Sequence, residues 1–142
     1  LQPNLFLIAE DLGERDLIDV LAENPNWYQN ATSVMIAEGL VMYLMPESVK
    51  RLFDQCAASA GMGSRIAFSY IPTGTDGRLD AGPRTGMMLW LQKVGGEPWL
   101  WSILPEDLGS FLEETSWKIN GDHQWAARKF GVEYFVAAER ID

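Results

Sequence analysis

Two short apolar runs in this chain end in carboxylates. Leu5-Phe6-Leu7-Ile8-Ala9 leads into Glu10-Asp11, and Ser33-Val34-Met35-Ile36-Ala37 leads into Glu38-Gly39. Each run reads as a buried strand. In an open α/β sheet, ligands bind in the crevice outside the carboxyl ends of the strands. Carboxylates at that edge can accept hydrogen bonds from a ligand's amino or hydroxyl groups. The same acids can instead cap the helix that follows. Glu38 has the stronger claim to a ligand, because the glycine after it allows close approach to the backbone.

Other chemistries find few residues. The chain has one cysteine and one histidine, Cys56 and His123. Cys56 lies in a helical-looking run and reads as a small buried apolar group. One Cys and one His are too few for a zinc site of the usual Cys/His kind, so no metal is expected. No Gly-x-Ser-x-Gly elbow occurs, which argues against a doubly wound hydrolase.

The 142 residues carry a net charge of -9, with 47% hydrophobic and 22% charged residues. This composition suits one globular domain spanning residues 1–142, with no linker or repeat. So acidic a surface repels phosphate backbones and anionic lipid, so neither nucleic acid nor a membrane is an expected partner. No apolar run reaches the ~20 residues that span a bilayer. The chain opens at Leu1 without a basic segment, so no signal peptide is expected. A single cysteine allows no intrachain disulfide and fits a reducing, cytoplasmic setting.

The elements that must position these residues can be read along the chain. A helix is expected from Gly13 to Asn24. Met45-Pro46-Glu47 starts a second, which runs to about Ser59 with Val49, Leu52, Phe53 and Cys56 on one face. Arg65–Ile71 reads as a strand, Pro72–Gly82 as a loop, and Thr85–Lys93 as a helix closed by Gly95-Gly96. Trp99–Ile103 reads as a strand, and Pro105-Glu106-Asp107 opens a helix ending near Thr115. Trp117–Ile119 is a short strand, His123–Phe130 one or two helical turns, and Glu133–Glu139 a last strand. Alternating strands and helices point to an α/β fold with a largely parallel sheet and an antiparallel edge.

Several of these residues also carry a resemblance. Ile36-Ala37-Glu38-Gly39-Leu40-Val41-Met42-Tyr43-Leu44 with Pro46-Glu47 resembles the motif after strand four of the leucine carboxyl methyltransferase family. Ala9-Glu10-Asp11-Leu12 resembles the family's Asp-Leu pair after strand three, and lies 27 residues before Glu38 when counted from Asp11. Gly63–Ala67, Glu97-Pro98-Trp99 and Leu104–Leu108 resemble later segments, so the likeness spans about Asn4 to Glu139.

The resemblance implies a Rossmann-like class I methyltransferase sheet that uses S-adenosylmethionine to methylate an oxygen, on a carboxyl or small-molecule acceptor. Asp11 would accept from the adenine amine, and Leu12 would touch the ring. Glu38 would pair with the methionine ammonium, and Gly39 would leave the cofactor room. Tyr43 would line the acceptor pocket; Tyr70 is a further pocket candidate, or plain core. No catalytic acid–base residue is implied, because an ionised carboxylate acceptor needs no strong base.

The family's glycine-rich loop after strand one and its acid after strand two find no counterpart in these residues. The expected sheet is therefore incomplete, with strands three to seven present and the first two absent. Cofactor affinity from these residues alone should be poor. Val34–Ala37 should expose an open edge, which would pair with another chain and favour a homodimer. The competing reading is a truncated, non-catalytic module for dimerisation or protein binding. Trp90, Trp99, Trp101 and Trp117 read as core or lid packing, and Arg84 as a solvated arginine or a contact for an acidic substrate group.

Overall fold

The computed structural model describes residues 3–12, 14–83, 85–126 and 133–141, with backbone alone at 120–126. In chain order the elements are α1 (Leu17–Ala22), β1 (Val34–Ala37), a 3-10 turn (Val41–Tyr43), α2 (Pro46–Ser59), β2 (Arg65–Tyr70), α3 (Thr85–Gly95), α4 (Leu108–Glu114), β3 (Trp117–Ala126) and β4 (Tyr134–Arg140). The sheet runs β1-β2-β4-β3. β1 and β2 are parallel, and β4 is antiparallel to both β2 and β3.

α2 forms as its sequence dictates. Pro46 occupies the first turn, where no amide hydrogen is missed, and Glu47 follows it near the positive end of the dipole. Val49, Phe53, Cys56 and Ala57 make its buried face. The helix stops at Ala60, and the chain turns at Gly61, whose N–H donates to the Ala31 carbonyl at 2.9 Å. A Cβ at Gly61 would collide with the Asn30 carbonyl, so the close approach requires glycine there.

The main core lies on one face of the sheet. Ile66, Phe68 and Tyr70 of β2 and Val136 and Ala138 of β4 meet Phe53 of α2 and Leu108 and Leu112 of α4. The Phe53 ring stands edge-on to Phe68 at 4.8 Å and to Phe111 at 5.4 Å, arrangements that aromatic quadrupoles favour. The buried Trp117 indole donates to the Phe53 carbonyl at 3.1 Å, tying β3 to α2. Side chains alternate along a strand, so the row Ile36–Ala67–Ala137 points to the opposite face. There Val34 and Ile36 are 70% and 74% exposed.

Several sequence-based expectations are corrected. Leu5–Ala9 is not a strand. It forms no ladder, and Leu5, Phe6, Leu7 and Ile8 are exposed. A strand needs a partner for its amide groups, and this segment has none among the described residues. The sheet has four described strands, and neither this run nor Trp99–Ile103 is among them. Trp99–Ile103 makes only one isolated bridge, Ile103 to Pro72. β3 is longer than Trp117–Ile119 and includes 123–126, where helical turns were expected; residues 127–130 of that expectation lie outside the described residues. The first helix is shorter than Gly13–Asn24, and Gly13 also lies outside the described residues, as does Arg84.

Truncating Phe53 would empty the centre of this core. Phe53→Ala should lower unfolding stability by about 3–5 kcal/mol, read from urea denaturation. Leu100→Ala, at a half-exposed position outside the main cluster, should cost far less.

Candidate functional site

The parallel register Ala37↔Phe68 sets Glu38 and Gly39 beside Ser69, at the carboxyl ends of β1 and β2. Gly39 has φ +62, a left-handed conformation that glycine adopts without steric cost. Its N–H donates to the buried Ser69 hydroxyl at 2.8 Å. No atom lies within 4 Å of where a Cβ on Gly39 would sit, so the glycine opens onto free space. Glu38 is exposed at the same corner.

The Asp11–Leu12 pair comes to this end of the fold from another direction. The Asp11 carbonyl accepts from the N–H groups of Glu14 and Arg15 at 3.0 and 2.9 Å. Arg15 donates to Glu10 at 2.7 Å and to Glu23 at 2.6 Å. Gln55 of α2 fixes the start of α1: its side-chain carbonyl accepts from Leu17 N–H at 2.6 Å, and its amide donates to Asp16 at 2.7 Å. Leu12 and Leu40 then line one small pocket of about 40 Å³, with Leu17, Leu44 and Leu52. Of the four predicted cofactor-binding residues Leu12 alone lines this pocket, opposite Leu40, the residue after Gly39; Asp11, Glu38 and Gly39 do not line it.

Tyr43 ends the 3-10 turn after Gly39 and is 40% exposed. It lines an open cleft of about 430 Å³ with Gly96, Glu97, Pro98 and Leu100. Tyr70 is placed differently. It is fully buried, with its ring against Tyr134 at 5.7 Å and Phe68 at 6.2 Å. It belongs to the core and lines neither pocket.

The far wall of the cleft is pinned at both ends. α3 closes with Gly96 at φ +78, and Glu97 N–H donates back to the Gln92 carbonyl at 3.2 Å. This is the Schellman arrangement, in which a left-handed residue after the helix lets the next amide reach an unsatisfied carbonyl. Farther on, Leu100 and Trp101 donate to the Met42 carbonyl at 2.6 and 3.2 Å. Beneath this wall Met42, Ile71, Ala81 and Trp99 form a second small core.

Sequence reasoning missed Ser69, Gln55 and the cleft wall. Gly95-Gly96-Glu97-Pro98 signalled a helix end, but nothing in the sequence said what that end faces. No group of three His, Cys, Asp or Glu side chains able to hold a metal occurs among the described residues. No helix among them is long and apolar enough to cross a membrane. Cys56 is buried, and desolvation pushes its thiol up to about 12, which keeps it protonated at neutral pH.

The segment that forms this corner also matches a known family model. Residues 2–57 match the leucine carboxyl methyltransferase family model. The matched segment contains Asp11, Leu12, Glu38, Gly39 and Tyr43. A Mycobacterium avium (strain 104) protein named as an S-adenosyl-L-methionine-dependent methyltransferase is 54% identical over 71 residues, which are 50% of this chain and 23% of that protein. A similarly named protein of Mycobacterium sp. (strain KMS) is 43% identical over 56 residues, 39% of this chain and 16% of that protein. The matched stretch is thus under a quarter of either relative's length.

Solved structures agree in fold. The Burkholderia thailandensis 1,6-didemethyltoxoflavin-N1-methyltransferase superposes with a TM-score of 0.58 at 14% identity, over 86% of this chain and 48% of that one. A mitomycin 7-O-methyltransferase gives 0.55 at 13% identity, over 75% and 29%. These two solved methyltransferases share the α/β fold of this chain, whose described residues form a mixed four-stranded sheet.

Gly39 is the backbone hinge of the corner. Gly39→Ala should cost about 1–2 kcal/mol through the left-handed conformation alone. Thermal denaturation should show this loss, whereas Gly109→Ala, in α4 with open space around it, should leave the melting temperature unchanged or higher.

Proposed function

We propose that this chain contributes to an S-adenosylmethionine-dependent O-methyltransferase, supplying one side of the cofactor site and the floor of the acceptor site. The observation that carries this reading is the Glu38-Gly39 corner: an exposed carboxylate followed by a left-handed glycine held on Ser69, at the carboxyl ends of two parallel strands.

The residues present fit such a cofactor in part. The space at Gly39 that a Cβ would fill admits a ligand against the backbone. The Glu38 carboxylate suits an ammonium group. Leu12 and Leu40, both partly exposed, offer an apolar surface to a flat ring, with Asp11 beside Leu12 as acceptor for an exocyclic amine. When bound, the cofactor supplies a methyl group on a sulfonium. This chain's share is then orientation and charge placement, with Tyr43 at the acceptor side. We assign Tyr70 to supporting that corner from the core, through the strand that also carries Ser69.

The full-length protein should bind S-adenosylmethionine, and Glu38→Gln should weaken that binding about tenfold or more, the scale of a lost charge-assisted hydrogen bond. Calorimetry on the two proteins checks this; equal affinity would remove Glu38 from the cofactor site.

The outer edge of β1 is unpaired among the described residues. We propose that the 142-residue chain on its own associates into a homodimer through that edge, since exposed strand edges template pairing. Sedimentation should show a dimer that Ile36→Lys returns to monomer, and a monomeric parent chain would refute this interface. The free buried thiol suits a reducing cytoplasm.

A further inference from the structure

Glycine on its own does not fix the Glu38-Gly39 corner. It adopts left-handed and right-handed conformations about equally well, so the φ of +62 at Gly39 needs something to select it. Between Ala37, the last ladder residue of β1, and the Tyr43 N–H on the Leu40 carbonyl, the chain is held by the Gly39 N–H on the Ser69 hydroxyl at 2.8 Å. Ser69 shares a sheet face with Ala67, two residues before it, and lies across from Phe135 of β4. On that face Val34 and Ile36 are largely exposed, yet Ser69 is fully buried. A buried hydroxyl on a short side chain of a central strand has little freedom, so it is a fixed point for the turn that meets it. Its removal would leave the Gly39 N–H unpaired, a loss that a glycine turn can relieve by rotating. Rotation there carries Glu38 with it.

The same bond decides what the corner offers a ligand. The Gly39 N–H is committed to Ser69 and is not a free donor. What remains is the exposed Glu38 carboxylate, with which no described cation forms an ion pair, beside the open space at Gly39. Such a corner accepts a ligand's ammonium group and turns no Gly39 amide toward an anion.

We propose that Ser69 is a positioning residue. By holding the Gly39 amide, its hydroxyl sets Glu38 where it meets the ligand's ammonium, and so sets how strongly binding depends on that group. The proposal rests on the methyltransferase reading of this corner, in which the ammonium belongs to S-adenosylmethionine, and it adds the residue that gives the corner its shape.

The test uses the full-length protein and two probes, S-adenosylhomocysteine and its analogue with hydrogen in place of the amino group. Calorimetry gives the ratio of their affinities, and the ratio isolates the amino group from any general loosening of the fold. The parent should bind the amino form at least tenfold more tightly. Ser69→Ala should bring the two within about threefold. Ser69→Cys keeps the shape of the side chain with a weaker acceptor, and it should lower the ratio as well, so the test stands even where Ser69→Ala does not fold. Ser59→Ala is the control. It removes another buried hydroxyl, one that donates to the Gln55 carbonyl at 2.7 Å at the far end of α2, and it should leave the ratio unchanged. Circular dichroism melting confirms the fold of each variant. A ratio that survives both Ser69 variants, or that falls equally in Ser59→Ala, would overturn the role of Ser69 and leave the cofactor reading standing. A parent protein that does not bind S-adenosylhomocysteine would remove the cofactor reading itself, and the proposal with it.

Discussion

The candidate site depends on the register in which Val34–Ala37 lies beside Arg65–Phe68. Parallel pairing puts Ala37 opposite Phe68, and the next residues of each strand then meet as Gly39 N–H on the Ser69 hydroxyl. A slip of one residue would turn every side chain of β1 to the other face. Met35 and Ala37 would leave the core, and the Gly39 N–H would no longer meet the Ser69 hydroxyl. The aromatic cluster of Phe53, Phe68 and Phe111 holds the register from below, because Phe68 is both a ladder residue and a core residue. Packing and site geometry are therefore one constraint viewed from two sides.

Much of the fold was legible because some segments carry their own instructions. Pro46-Glu47 fixed the start of α2, and its apolar spacing fixed the buried face. The runs at Val34, Arg65 and Tyr134 had enough β-branched and aromatic residues to read as strands. The failures share one physical cause, that a strand is a relation between two segments. Leu5–Ala9 has a strand's composition and no ladder. Trp99–Ile103 has it too, but its amides go to the Met42 carbonyl and its indole rings into two different cores. His123–Phe130 read as helical turns after a short strand, whereas the β3–β4 ladder shifts register between Ile119 and Gln124 and continues to Ala126.

At the candidate site, the residues proposed to meet a ligand were easier to name from sequence than those that position them. Asp11 and Glu38 stood out as acids at the ends of apolar runs, and Tyr43 came from the family resemblance. Ser69 and Gln55 did not, because a serine in a strand and a glutamine in a helix are unremarkable until their partners, 30 and 38 residues away, are known. Tyr70 shows the reverse. Its position at a strand end suggested a pocket, but Tyr134 covers its ring, a contact made across the sheet from a strand far along the chain.

The strand order has a consequence for how the chain is made. β4 lies between β2 and β3, yet it is the last of the four in sequence. As the polypeptide leaves the ribosome, β2 has only β1 beside it and β3 has no sheet to join. Phe68 and Trp117 must wait with their apolar surface partly uncovered until Tyr134–Arg140 emerges and slots between them. The described sheet therefore closes from its centre only once β4 has been made, and unpaired strands of this kind are prone to aggregate until then.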